Sequence, residues 1–230
     1  MKVADNSNRK MPKGTHQVLE KERKAMGNNP LIVKFCGIRR PEDVEMVNRY
    51  QPDMAGFILA PGRKRYVPAE KVRILREKLD PAIQVVGVFV DEDISVVRNL
   101  LSSGIIDVAQ LHGNEPEDYI RSLQESTGKK VMKAIGIRGD EDIRKAEMSP
   151  ADLVLLDTPG GGTGSVFDWD LIKQVRRPYL LAGGLHSGNV GEAIEKLHPY
   201  GVDVSSGIET DGIKDETKMC AFMAQIRKEI

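Results

Sequence analysis

The stretch Leu153–Gly164 reads LVLLDTPGGGTG, and its pattern recurs along the chain. Four apolar residues run directly into Asp157, and a cluster of glycines follows. Apolar runs of this kind are typical of buried parallel strands. A carboxylate at the carboxyl end of such a strand lies where open α/β sheets and α/β barrels place their chemistry. Asp157 is therefore a candidate functional residue, although a strand-end aspartate also commonly caps a turn or a helix.

About eight strand–helix units follow one another between residue 31 and the C-terminus. Alternating strands and helices indicate βαβ crossovers and a parallel sheet. Eight units predict a single-domain (β/α)8 TIM barrel. A doubly wound open sheet is the alternative, but no break marks the point where its strand order would reverse. The predicted strands are 31–36, 53–59, 84–90, 107–111, 130–136, 152–156, 179–185 and 201–207, and the last three predicted helices are 167–176, 187–197 and 214–229.

Residues 1–30 differ from the rest in composition, being rich in Asn, Lys and Glu and poor in large apolar residues. A short helix over 17–26 would have few apolar anchors. We expect 1–30 to be a mobile or loosely docked leader and 31–230 to be the barrel domain.

Composition excludes several classes of protein. Lys plus Arg equals Asp plus Glu at 34 each, so bulk charge gives no case for binding nucleic acid or a membrane surface. No apolar run reaches the roughly 18 residues of a membrane span, and the N-terminus lacks an apolar signal core. Cys36 and Cys220 fit no zinc or disulfide spacing. We therefore expect a cytoplasmic protein with free thiols, either a monomer or a homodimer.

Cys36 stands at the end of the first predicted strand, on the face where a barrel places its catalytic groups. Most free cysteines are small buried hydrophobes, which is the alternative here. Lys34 lies two residues earlier, so its side chain points to the same side of the strand. Its ammonium could favour the thiolate of Cys36, or it could pair with a neighbouring carboxylate and be purely structural.

The turns after the seventh and eighth predicted strands are built from small residues. LAGGL contains Gly183 and Gly184, and the eighth strand ends in Ser205, Ser206 and Gly207. Barrels often form a phosphate site at these two strands, from backbone N–H groups and a helix N-terminus. Small residues let the main chain approach the phosphate oxygens. Tight turns without a ligand are the alternative.

Other candidates are weaker. His112 in QLHGNE could bind the substrate, by orienting a group or stacking near a ligand, or it could simply bond to backbone in a turn. No His, Asp and Glu residues have the spacing of metal ligands, so no metal is expected. The glycines at 160–164 lack the Lys-Ser/Thr ending of a P-loop, and no nucleotide cofactor is expected. We expect those glycines to form a flexible loop over the substrate.

An ordered set of motifs resembles the phosphoribosylanthranilate isomerase family of tryptophan biosynthesis. The set covers the chain from about residue 31 to the C-terminus, and its order is more specific than any single motif. It comprises KFCG (34–37), GF followed by Arg65-Tyr66-Val67, VGVFV (86–90), QLHGNE (110–115), LLDT with GGTG and FDW (155–169), AGGL with Asn-Val (182–190), and DVSSGIE with G-x-K-D (203–215).

The resemblance implies a small (β/α)8 barrel enzyme that needs neither cofactor nor metal. Its reaction would be the Amadori rearrangement of N-(5′-phosphoribosyl)anthranilate, an aldose–ketose isomerisation at the third step of the tryptophan branch. The family's thiol base matches Cys36, and its carboxylic acid matches Asp157. Its phosphate site matches the two small-residue turns, and the arginine that meets the anthranilate carboxylate matches Arg65. The family commonly has Ser-Pro before that arginine, where this chain has Arg63-Lys64.

Two other functions fit parts of the pattern. Another phosphosugar isomerase, epimerase or aldolase would use a similar barrel, and for a Schiff-base aldolase Lys133 is the best-placed lysine. A non-catalytic binder of phosphorylated metabolites would keep the pocket, but retention of both Cys36 and Asp157 argues against it.

Overall fold

The computed structural model describes residues 31–158 and 169–229. The predicted leader at 1–30 and the predicted substrate loop at 160–164 lie outside the described residues. Among these described residues, no helix combines the length and the hydrophobicity that a membrane span requires.

Eight parallel strands in the described part close into a barrel in chain order, with the first strand hydrogen-bonded to the second and to the eighth. This confirms the predicted (β/α)8 barrel and rules out the doubly wound sheet. The strands are β1 (Ile32–Cys36), β2 (Met54–Ile58), β3 (Gln84–Phe89), β4 (Val108–Leu111), β5 (Lys130–Gly136), β6 (Leu153–Asp157), β7 (Leu180–Leu181) and β8 (Gly201–Val204).

Helices cover the outside of the barrel, and each buries an apolar face against the strands. The α-helices are α1 (Pro41–Tyr50), α2 (Ala69–Arg76), α3 (Ile94–Ser102), α4 (Glu117–Thr127), α5 (Asp140–Met148), α6 (Val190–Leu197) and α7 (Glu216–Glu229). A short antiparallel pair, β9 (Glu209–Thr210) and β10 (Ile213–Lys214), precedes α7.

Successive side chains point to opposite faces of each strand, and this alternation separates two apolar cores. Outward side chains pack under the helices, and inward ones fill the barrel. Apolar residues of the inner core include Met54, Val86, Val108, Met132 and Leu155. Buried polar side chains such as Gln110 and Asp157 stand on the same strands nearer their carboxyl ends, so the barrel interior is polar towards the carboxyl ends of the strands and apolar towards their amino ends.

The amino-terminal end of the barrel carries a repeated carboxylate contact. Asp53 and Asp107 each precede an even-numbered strand and accept a hydrogen bond from a backbone N–H on the strand before it, at 2.7 and 2.8 Å. Asp152 makes the same contact to β5 at 2.8 Å. Since this end is remote from the strand termini that hold the chemistry, we assign these aspartates to stability.

Strands seven and eight are shorter than predicted. The prediction extended them to residues 185 and 207, whereas the structure ends them at Leu181 and Val204. Gly183 and Gly184 have φ values of 84° and 64°, so the chain leaves the extended conformation there. Residues Ser206–Ile208 form a 3-10 turn instead of strand.

Three predicted helices differ from those observed. The helix predicted over 167–176 is a 3-10 segment, Trp169–Gln174, and residues 167–168 lie outside the described part. The helix predicted from 187 begins at Val190, because Asn189 closes a turn onto the backbone N–H of His186. The last helix begins at Glu216 and not at 214, because Lys214 belongs to β10.

Candidate active site

Cys36 and Lys34 lie at the carboxyl end of β1, inside the barrel. The Lys34 side chain is fully buried, and its Nζ donates to Oδ1 of Asp203 on β8 at 2.7 Å. Burial alone would lower the pKa of Lys34, but Asp203, assisted by Cys36, raises it. Lys34 is therefore a cation at neutral pH, and the carboxylate partner that the sequence left open is Asp203.

The thiol of Cys36 is buried and free. Burial raises the pKa of the Cys36 thiol most. Lys34 and, more weakly, Lys214 lower this pKa, and Asp203 raises it further. The net direction is upward. The thiol thus lies among charged groups of both signs, with a lysine as the strongest influence that favours the thiolate.

Asp157 ends β6 and is also buried. Its Oδ1 accepts from the backbone N–H of Thr158 at 2.7 Å, and its Oδ2 lies 3.4 Å from Nε2 of His112. The Nδ1 of His112 lies 3.4 Å from Nε2 of Gln110. The structure therefore brings together the predicted His112 and Asp157.

The turn after β7 passes directly beside Asp157. A Cβ on Gly183 would lie 2.2 Å from Oγ1 of Thr158 and 3.1 Å from Oδ1 of Asp157. A Cβ on Gly207 would lie 1.9 Å from the backbone oxygen of Leu185. Both positions therefore require glycine for space, and the two predicted phosphate turns contact each other.

The turn after β8 also reaches β1. The Oγ of Ser205 donates to the backbone oxygen of Cys36 at 3.1 Å. Gly37 has a φ of 80°, and a Cβ there would lie 2.6 Å from Cδ of Arg65 and 3.0 Å from Oγ of Ser205. The residues predicted to act as the base, to bind the phosphate and to bind the carboxylate are thus neighbours at one end of the barrel.

Arg65 is held by a partner that the sequence analysis did not identify. Its Nε and Nη2 donate to the two carboxylate oxygens of Glu209 at 2.8 and 2.6 Å. Lys214 adds a hydrogen bond of 2.8 Å to Oε1 of the same carboxylate. Burial alone would raise the pKa of Glu209, but these cations lower it to about 2. No hydrogen bond from Nη1 of Arg65 to another described residue is present, so this group can meet a ligand.

Known proteins match the chain over most of its length. The family model for N-(5′-phosphoribosyl)anthranilate isomerase matches residues 33–225. The curated isomerase of that name from Clostridium acetobutylicum is 45% identical over 204 residues, covering 85% of this chain and 98% of the relative. The chain belongs to the phosphoribosylanthranilate isomerase family.

Solved structures of phosphoribosylanthranilate isomerase have the same barrel. The one from Thermotoga maritima is 36% identical with a TM-score of 0.79, and the match covers 86% of this chain and 99% of that one. Another was solved in complex with reduced 1-(o-carboxyphenylamino)-1-deoxyribulose 5-phosphate, and is 34% identical with a TM-score of 0.77 and the same coverage. The chain is thus an aldose–ketose isomerase of tryptophan biosynthesis that acts on a phosphorylated small molecule, as the sequence motifs indicated.

Three polar residues of the site were not singled out from the sequence, namely Asp203, Glu209 and Lys214. Asp203 lies two residues before Ser205, the same spacing that links Lys34 to Cys36, so strand alternation could have placed it at the site. Glu209 and Lys214 lie in the DVSSGIE and G-x-K-D motifs, but strand alternation could not place them at the site, because the β9–β10 hairpin that presents them was not predicted.

Lys133 does not fit the role of an aldolase lysine. Its Nζ bonds to Oε2 of Glu115 at 2.6 Å and to the backbone oxygen of Gly113 at 2.7 Å. Glu115 also accepts from the backbone N–H of Asp91 at 2.9 Å. Lys133, Glu115 and Asp91 therefore hold the loops after β3 and β4 in place. No three His, Cys, Asp or Glu residues of the described part are grouped to hold a metal ion.

Proposed function

We propose that this family member carries out the isomerisation with Cys36 as general base and Asp157 as general acid. The observation that carries the proposal is that both side chains are buried at carboxyl ends of barrel strands, on β1 and β6, which lie three strands apart around the closed sheet. An acid and a base so placed approach a bound sugar from different sides.

The reaction requires one proton to be given and one to be taken. Asp157 gives a proton to the furanose oxygen as the C1′–O bond breaks, and the anthranilate nitrogen lone pair forms the C1′=N bond. The thiolate of Cys36 then removes the C2′ proton. The C–H electrons form a C1′=C2′ bond, and the C=N electrons return to nitrogen. The resulting enolamine tautomerises to the ketose.

Substrate binding would use the two ends of the molecule. The turns at Gly183–Gly184 and Ser205–Gly207 offer backbone N–H groups to the phosphate, supported by their mutual contact and by their lack of room for side chains. Nη1 of Arg65 would meet the anthranilate carboxylate. His112 would help to place Asp157 through the 3.4 Å contact between their side chains.

Single substitutions test the acid and the base. In chelator-treated protein, Cys36→Ala and Asp157→Asn should each lower kcat by about 10²–10⁴-fold, followed as loss of substrate fluorescence. Circular dichroism checks that each variant is folded, and Cys220→Ser, which alters the exposed thiol on α7, serves as the matched control. A near-normal rate in either site variant removes that residue from the mechanism.

We also propose that 31–230 is the barrel catalytic domain and that 1–30 is a leader outside it. We further propose that the enzyme acts in the cytoplasm as a monomer or homodimer, without nucleic-acid or membrane partners. The family match over 33–225 supports the domain boundary. Full activity of the chain without residues 1–30 is expected, and its loss would reject the boundary. Light scattering determines the oligomeric state, and cell fractionation determines the compartment.

A further inference from the structure

Gly56 on β2 faces Cys36 and Lys34, and the ends of their side chains fill the space that a Cβ at this position would occupy. Gly56 pairs in register with Cys36, and its φ is not in the left-handed region, so no turn requires a glycine there. A Cβ on Gly56 would lie 2.9 Å from Sγ of Cys36 and 3.0 Å from Nζ of Lys34. The first distance is shorter than real Cβ atoms show, and the second is tighter than nine in ten real Cβ contacts. The missing side chain therefore lets the thiol and the ammonium approach each other.

Asp203 fixes the ammonium in that space. Lys34 and Asp203 are register partners on β1 and β8, and the Nζ–Oδ1 distance is 2.7 Å. The Lys34 side chain has no exposed surface, so solvent does not screen its charge from the thiol.

Four charged groups face Cys36 from the surrounding elements. Asp203 repels a thiolate, whereas Lys34, Lys214 and Arg65 attract it. Lys214 and Arg65 are both bonded to Glu209, which offsets their charge. Among the three cations, Lys34 lowers the pKa of the thiol most, and its effect is larger than the opposing effect of Asp203.

We propose that Lys34 is the positioning residue for the base, and that Gly56 exists to let its ammonium stand beside the Cys36 sulfur as the counter-charge of the thiolate. The proposal rests on the proposed role of Cys36 as base. It assigns to Lys34 an electrostatic role that a purely structural Lys34–Asp203 pair would not have.

The test measures the reactivity of the thiol directly. All variants carry Cys220→Ser, so that iodoacetamide reports on Cys36, and alkylation rates are measured from pH 5 to 10 by mass spectrometry. The variant Lys34→Met with Asp203→Asn replaces both charges and leaves no buried charge unpaired. We expect its alkylation midpoint to move up by about one pH unit, since an opposite charge at this range lowers a pKa by about 1–3.

Gly56→Ala tests the same idea with both charges in place. Its methyl group should separate sulfur from ammonium, raise the midpoint and lower kcat/KM. Gly87→Ala on β3 is the matched control, because its Cβ would meet Ile106, Leu59 and Phe89 at 2.9–3.0 Å without touching the thiol. Lys133→Met controls for the loss of a largely buried lysine elsewhere in the barrel. Neither control should change the midpoint.

An unchanged midpoint in the Lys34/Asp203 double variant would overturn the proposal, as would equal midpoints for the two alanine variants. Alkylation does not depend on turnover, so failure of the proposed function has a different signature. In that case the alkylation midpoint moves, but the acid limb of the kcat/KM profile does not follow it.

Discussion

Glu209→Gln tests how much the buried ion pairs of Glu209 with Arg65 and Lys214 stabilise the fold. The Glu209 side chain is 4% exposed and accepts from Arg65 and Lys214. Its pKa falls from 4.5 to about 2 in the folded protein. That difference corresponds to about 3 kcal/mol of stability at neutral pH. Because the folded-state pKa is depressed, the contribution is complete above pH 4.5 and is lost as pH falls towards 2.

The expected result is a pH-dependent gap between wild type and variant. At pH 7 the variant should lose about 3 kcal/mol of unfolding free energy, because two buried cations lose their anion. By pH 3 the gap should narrow by about 2 kcal/mol, because the carboxyl is then protonated in the unfolded chain but still ionised in the folded protein, so folding costs the release of a proton. Urea unfolding at pH 7, 5, 4 and 3 measures both values.

Glu216→Gln is the matched control, because Glu216 pairs with Arg49 at the surface and both side chains are about half exposed. Its loss should cost less than about 1 kcal/mol at any of these pH values. A Glu209→Gln gap that stays constant from pH 7 to pH 3 would refute the assignment of the stability to an ionised Glu209. The same variant should raise KM about tenfold by releasing the guanidinium of Arg65, whereas an unchanged KM would show that Glu209 does not orient Arg65.

Two further predictions concern opposite ends of the barrel. Gly183→Ala should weaken inhibition by inorganic phosphate at least tenfold, because a Cβ there meets Thr158 at 2.2 Å in a backbone with φ of 84°; unchanged inhibition would place the phosphate elsewhere. Asp107→Asn should lower the free energy of unfolding by about 1–3 kcal/mol with kcat/KM unchanged, because Asp107 accepts from both Nη groups of Arg76 and from the N–H of Val85. Denaturant unfolding measures the stability of the Asp107→Asn variant, and steady-state kinetics measures its kcat/KM. A loss of activity without a loss of stability would contradict the structural role of Asp107.

The sequence alone determined the barrel and the end at which its candidate residues lie. Apolar runs that end in polar residues are a local signal, and parallel strands all deliver their last residues to one face. Cys36, Asp157 and the Gly183–Gly184 turn could therefore be selected before any contact was known. The exact ends of β7 and β8 could not, because they depend on the backbone angles of Gly183 and Gly184 after β7 and of Ser205 after β8, which the residue types alone do not fix.

Only the tertiary structure decided which charges meet. Lys34 and Asp203 are 169 residues apart and become neighbours because the barrel closes between β1 and β8. Arg65 and Glu209 are 144 residues apart and meet through the β9–β10 hairpin, whose two-residue strands are too short to show a strand pattern in the sequence. Local periodicity fixes which side of a strand a residue occupies, but the partner across a closed barrel depends on register and closure, which no local stretch encodes.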